Sequence, residues 1–180
     1  HRSDHGKLLK EAPDQLCFVC HEVTKKELDR FEHVHAPVTE VGCGTCHDPH
    51  GSDNAMHLKD AVPALCFSCH PEVSNIAQHA EHKHSLLERE GGCLTCHTPH
   101  ASTVKFLLKS DPMSLCLACH DRDIVTQDGK TIASIKPQIE GVKYLHGPVA
   151  QKDCEACHAG HGSEHFRLLI GEYPSEFYAP

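Results

Sequence analysis

The sequence predicts a mostly irregular fold of short α-helices with one small β-hairpin near residues 124–134, assembled around something other than an apolar side-chain core. Three observations lead there. A chain of 180 residues is long enough for a sizeable core, yet it has no Trp, only 5% aromatic residues, and 12 Cys beside 19 His. Every Cys belongs to a Cys-x-x-Cys pair followed at once by His. These pairs recur two at a time in a repeat of about 50 residues.

The six pairs are Cys17/Cys20/His21, Cys43/Cys46/His47, Cys66/Cys69/His70, Cys93/Cys96/His97, Cys116/Cys119/His120 and Cys154/Cys157/His158. Two cysteines three apart on a tight turn present both sulfurs along one edge of a porphyrin. Each sulfur forms a thioether with a vinyl group, and the adjacent His ligates iron from the proximal side. The pattern therefore implies six covalently attached haems c, which would fill the interior. Zinc is the competing reading, because Cys43-x2-Cys46 and Cys66-x2-Cys69 have a zinc-ribbon spacing. Zinc gives no reason for a His after the second Cys in all six pairs. A thioredoxin-like motif needs a βαβ context and would not recur.

Aligning Cys17, Cys66 and Cys116 brings out the repeat. Each unit has a Leu eight residues before its first Cys (Leu9, Leu58, Leu108) and a Leu immediately before it (Leu16, Leu65, Leu115). It closes with a second CxxCH, a His three residues on (His50, His100, His161) and a Ser two beyond that (Ser52, Ser102, Ser163). A further His stands in register between the two sites: His35 and His84 lie 18 residues after Cys17 and Cys66. The matching His146 lies 30 after Cys116, displaced by an insert of about 12 residues. Two β-branched runs around Asp128-Gly129 within that insert predict the hairpin, with a type I′ turn. Short helices are expected around each CxxCH. Helical stretches are expected at 71–90, where Ile76, Ala80 and Leu87 fall near one face.

With H-x-P-V at His35 and G-C-x-x-C-H-x-P-H-x-S from Gly42 onward, the chain resembles the doubled-CxxCH multihaem cytochromes over nearly its whole length. The middle unit has His84-Ser85-Leu86-Leu87 in place of H-x-P-V, and the third has Ala159-Gly160 where Asp48-Pro49 and Thr98-Pro99 stand earlier. No His is lost by either departure. The resemblance implies bis-histidine haems in close contact, an extracytoplasmic location and electron transfer, often in metal- or mineral-respiring microbes.

The ligand count agrees with that implication. Six distal positions are needed, and the repeat offers His35, His50, His84, His100, His146 and His161. Met56 and Met113 do not recur in register, and all-His ligation omits the thioether that raises a haem potential. His50, His100 and His161 sit three residues after a proximal His, on the same side of that iron. They must therefore serve a different haem, either earlier or later in the chain. His1 stands 16 residues before Cys17, as His50 and His100 stand before Cys66 and Cys116, so it is a seventh in-register ligand.

The chain divides by repeat into 1–58 with an N-terminal half-unit, 59–109, 110–171 with the insert, and a tail at 172–180, as one continuous array. The formal charge of −8 without a basic stripe argues against nucleic acid, and no run approaches a membrane span. A chain opening at His1 reads as a processed product, its signal peptide already removed. The expected function is electron carriage along closely spaced haems, not catalysis, with redox proteins or extracellular acceptors as partners. The surplus ligand favours a head-to-tail homopolymer forming an extracellular conducting filament, in which His1 ligates iron across the joint. A periplasmic shuttle is the alternative. A multihaem oxyanion reductase is disfavoured, because it needs an open iron position.

Overall fold

A computed structural model describes residues 3–126 and 128–177. Its longest helices have nine residues: Glu22–Arg30, Pro71–His79 and Pro112–His120. Proline stands in the first turn of the latter two, where its missing N–H costs nothing. Asp111 caps the third by accepting from the Ser114 N–H at 3.1 Å. Everything else is 3-10 turns, one- or two-turn helices and two-residue strands.

The strands are β1 (His33–Val34), β2 (His82–Lys83), β3 (Ala101–Ser102), β4 (Ile124–Val125), β5 (Thr131–Ile132) and β6 (Gly162–Ser163). They pair antiparallel as β1–β3, β2–β6 and β4–β5. The β4–β5 pair is the expected hairpin, but its turn is not type I′. Thr126 N–H donates to Lys130 O at 2.8 Å and Gly129 N–H to Thr126 O at 3.0 Å, leaving a loop of three residues. Gly129, at φ 79°, takes the left-handed position of that loop. Pairings β1–β3 and β2–β6 join elements 68 and 80 residues apart, such as Val34 with Ala101 (67 residues) and His82 with Ser163 (81 residues) at the register positions. These lie beyond the reach of local pattern.

The helix expected within 71–90 is correspondingly shorter. It stops at His79, Ala80 turns extended, and the chain enters β2 before a 3-10 turn at Ser85–Glu88. Pairing with β6 captures the backbone of His82 and Lys83, so the helix cannot run on. Ala80 and Leu87 are still buried. The fit at this pairing is close: a Cβ on Gly162 would stand 2.8 Å from His82 O and 3.0 Å from Ile76 Cγ2. Gly162→Ala is therefore expected to destabilise the protein by about 1–3 kcal/mol, as overpacking does. Thermal unfolding of the variant beside wild type checks this.

Two compact units emerge, each drawing on more than one repeat. One takes the chain up to Cys69 with Glu90–Lys109, and the other His70–Arg89 with Ser110 onward. Side chains do not build a core. Among the described residues only Val62, Ala80, Leu87, Ala101 and Leu108 are buried hydrophobics, and no large side chain is fully buried. The accessible surface is 13315 Å², against about 8,700 Å² for a packed protein of this mass. No helix among the described residues is long and apolar enough to cross a membrane.

Candidate functional site

Each CxxCH segment is a tight turn. Helices or 3-10 turns at Pro13–Phe18, Cys43–Thr45, Ala64–Phe67, Cys93–Cys96 and Pro112–His120 carry the first five, and a plain turn carries the sixth. The second cysteine's N–H donates to the first cysteine's carbonyl at 3.2 Å in Cys17–Cys20 and Cys66–Cys69, and at 3.3 Å in Cys43–Cys46 and Cys154–Cys157. Both sulfurs of a pair are thereby held on one side of the turn.

None of the twelve cysteines is in a disulfide, and all are exposed or half-buried. Within the first unit, Cys66 and Cys93 touch through their side chains, and burial together with Cys93 pushes the Cys66 thiol up to about 11. In the second unit Cys154 contacts Cys116, and burial raises its pKa as well. The second and third repeats thus place the first sulfurs of their two sites side by side. Among the described residues no group of three or more His, Cys, Asp or Glu side chains converges as a metal-ion site.

The second-site histidines are oriented by a backbone device. Nδ1 of His47 is 2.8 Å from Met56 O, Nδ1 of His97 is 2.8 Å from Phe106 O, and Nδ1 of His158 is 3.0 Å from Arg167 O. A carbonyl can only accept, so the proton sits on Nδ1 and Nε2 keeps its lone pair for a metal. The carbonyls reach this position because Met56/His57, Phe106/Leu107 and Arg167/Leu168 are consecutive residues with φ between 55° and 61°. Left-handed backbone costs a non-glycine residue about 1–2 kcal/mol. Isolated bridges His47–Leu58, His97–Leu108 and His158–Leu169 close the device, which accounts for the Leu eight residues before a first cysteine. The repeated Ser has its role here too: Ser52 Oγ donates to Leu58 O and accepts from the Asn54 N–H.

Two pairs of histidine rings face each other. His47 and His100 have centroids 6.1 Å apart with planes at 35°, and His84 and His120 have centroids 6.4 Å apart with planes at 82°. A metal–imidazole bond is about 2.0–2.1 Å, and the ring adds roughly 1 Å on each side, so two imidazoles on one metal sit about 6 Å apart. Both spacings fit one iron between the rings. Burial first, then the neighbouring His47 for His100 and His120 for His84, lowers the pKa of each distal ring. Both rings are thus held neutral, the form that ligates. Paired cysteines at CxxCH turns, proximal rings with Nε2 presented, facing imidazoles at iron-sharing distance and an interior not closed by side chains together fit covalent haem.

The remaining expected ligands divide by exposure. His35 and His161 are half-buried, and His35 Nδ1 lies 3.0 Å from Pro99 O. His50 and His146 are exposed, and among the described residues no ring faces those of His21, His50, His146 or His158. His1 lies outside the described residues. Side-chain pattern could not reveal the carbonyls of Met56, Phe106 and Arg167, because any residue supplies one. The only trace in the sequence is the constant Ser and Leu that bracket each loop.

A family model described as the doubled CXXCH motif matches residues 1–26, 35–75, 84–124 and 146–176. No curated protein matches the chain.

Proposed function

The chain belongs to the doubled CXXCH motif family, and from that premise we propose that it carries six covalently bound haems c and conducts electrons along them outside the cytoplasm. The family membership itself indicates a multihaem c-type cytochrome engaged in electron transfer. The observation that carries the finer reading is the pair of facing imidazoles, His47 with His100 and His84 with His120, each at the spacing one iron demands. Bound c-type haem iron supplies one-electron chemistry.

The chain's residues do the rest. Cysteine pairs anchor, and the carbonyls of Met56, Phe106 and Arg167 set the tautomer and orientation of the proximal rings. Where His100 and His84 face His47 and His120, the distal rings would hold the iron's remaining position and exclude small ligands, which disfavours reductase chemistry at those sites. The side-by-side sulfurs of Cys66 with Cys93 and of Cys116 with Cys154 support short electron steps within a repeat. Whether the line ends at a redox partner or continues through a further copy or another haem protein, the chain's own contribution is the same.

Redox titration followed by optical spectroscopy tests the proposal. A broad wave at low potential is expected, because all-His ligation lacks the thioether and neighbouring haems shift one another as coupled sites do. A single sharp high-potential wave, or saturating carbon monoxide binding by the reduced protein, would contradict it. The ring planes give a second expected result. Ferric electron paramagnetic resonance should contain a more rhombic low-spin signal from the His47/His100 pair, with planes at 35°, and a highly axial one from the nearly perpendicular His84/His120 pair. His84→Ala should remove only the axial component assigned to the haem of Cys116 and Cys119.

A further inference from the structure

We propose that residues 3–50 hold both protein halves of a site for one further c-type haem, carried on a CxxCH segment outside residues 1–180. The inference rests on the haem reading of the CxxCH motifs and extends it to a site no motif of this chain marks.

The strained loop described above occurs four times, not three. Lys7 (φ 58°) and Leu8 (φ 61°) repeat the left-handed pair, Lys7 with ψ 21° beside 24°, 20° and 25° for Met56, Phe106 and Arg167. Ser3 Oγ donates to Leu9 O and accepts from the His5 N–H, as Ser52 does at Leu58 and Asn54.

In the other three copies, three backbone groups grip a CxxCH segment. The first left-handed carbonyl takes the proximal Nδ1. The second accepts the N–H after that His: His57 O from Asp48, Leu107 O from Thr98, and Leu168 O from Ala159, at 2.7–2.8 Å. An N–H two residues on donates to the second cysteine's carbonyl: Lys59 to Cys46, Lys109 to Cys96, and Ile170 to Cys157, at 2.9–3.0 Å. The corresponding groups of the first copy are Lys7 O, Leu8 O and Lys10 N–H. Among the described residues none of them meets a CxxCH segment. A loop that spends strain in the gripping conformation is built to grip.

His50 points independently to the same haem. His47, gripped by the Met56 loop, faces His100, which belongs to the next H-x-S element along the chain. The H-x-S element next after the Lys7 loop is that of His50. Its side chain is 95% exposed, and Asp48 Oδ1 stands 3.5 Å from its Nδ1, favouring the proton there and leaving Nε2 for iron. The offset that gives His100 to the site of His47 gives His50 to the site gripped by Lys7.

A second copy of this chain offers no ungripped second-site segment. Its second-site segments at His47, His97 and His158 are already gripped by their own loops. The occupant is a CxxCH haem from outside these residues, which His50 would ligate by displacing water from the sixth position.

The test adds a haem-carrying CxxCH peptide, with water as its sixth ligand, to the haem-loaded protein and follows its conversion from high to low spin. Wild type is expected to convert peptide at the Lys7/His50 site, and His50→Ala to lose one equivalent of that binding. Ser3→Ala, which loosens the loop, should weaken it about 10–100-fold with the same final spectrum. His79→Ala, at an exposed ring outside the loops, should change nothing. Equal stoichiometry and affinity in His50→Ala would overturn the proposal. So would an absence of binding to wild type whose own haems are intact, or a Ser3→Ala variant that binds like wild type. The protein's own haem spectrum separates the two levels: lack of attached haem defeats the haem reading, whereas attached haem without peptide binding defeats only this inference.

Discussion

His100→Ala is expected to leave one haem five-coordinate and high-spin, and that haem is the one attached through Cys43 and Cys46, not the one three residues upstream at Cys93, Cys96 and His97. His100 faces His47 across 6.1 Å, whereas its backbone rises from the same side as His97. The thioethers should keep the haem attached, so the loss is local: one site gains carbon monoxide binding and the others keep their low-spin spectra. Resonance Raman spin-state markers, with carbon monoxide titration of the reduced variant, measure both. If the haem of Cys93 and Cys96 were the one to open, the pairing of His100 with His47 would be wrong. His100→Met, which restores a ligand, should return the site to low spin and raise its potential, since a thioether ligand favours the ferrous state.

A still larger effect is expected from withholding haem altogether. The buried hydrophobics are few and small, and the surface far exceeds that of a packed protein of this mass. Marginal stability of the usual 5–15 kcal/mol cannot be drawn from such a core. Expressed without haem attachment, the chain should show no cooperative thermal transition and should migrate as an expanded coil, while the haem-loaded protein unfolds cooperatively. Calorimetry and size-exclusion chromatography of the two forms make the comparison. A compact, cooperatively melting apo-chain would show that side chains, and not the attached groups, build the interior.

Those two outcomes rest on different amounts of sequence information. The attachment sites were legible because thioether chemistry fixes residue type and spacing, so Cys17/Cys20/His21 and its five counterparts can be read directly. The repeat singled out the in-register histidines as a set, of which His84 and His100 face a proximal ring, and their reach denied His100 to its own neighbour. Their assignment was not legible, because it depends on β1 meeting β3 and β2 meeting β6 across some 70–80 residues. The same pairings ended the helix at His79, where the Ile76/Ala80/Leu87 spacing favoured continuation. The Gly129 turn went astray by one residue of loop length, since Asp-Gly suits a two-residue turn and a three-residue one alike. The carbonyls of Met56, Phe106 and Arg167 were hidden for a different reason: a left-handed backbone at a Met, a Phe or an Arg has no signature in composition.

Intact-mass spectrometry of the denatured protein, with alkylation of any free thiol, measures the number of covalent haems. The expected result is the mass of the chain plus six haems, with none of the twelve cysteines alkylated. Retention of fewer haems, with the thiols of a CxxCH pair open to alkylation, would contradict it.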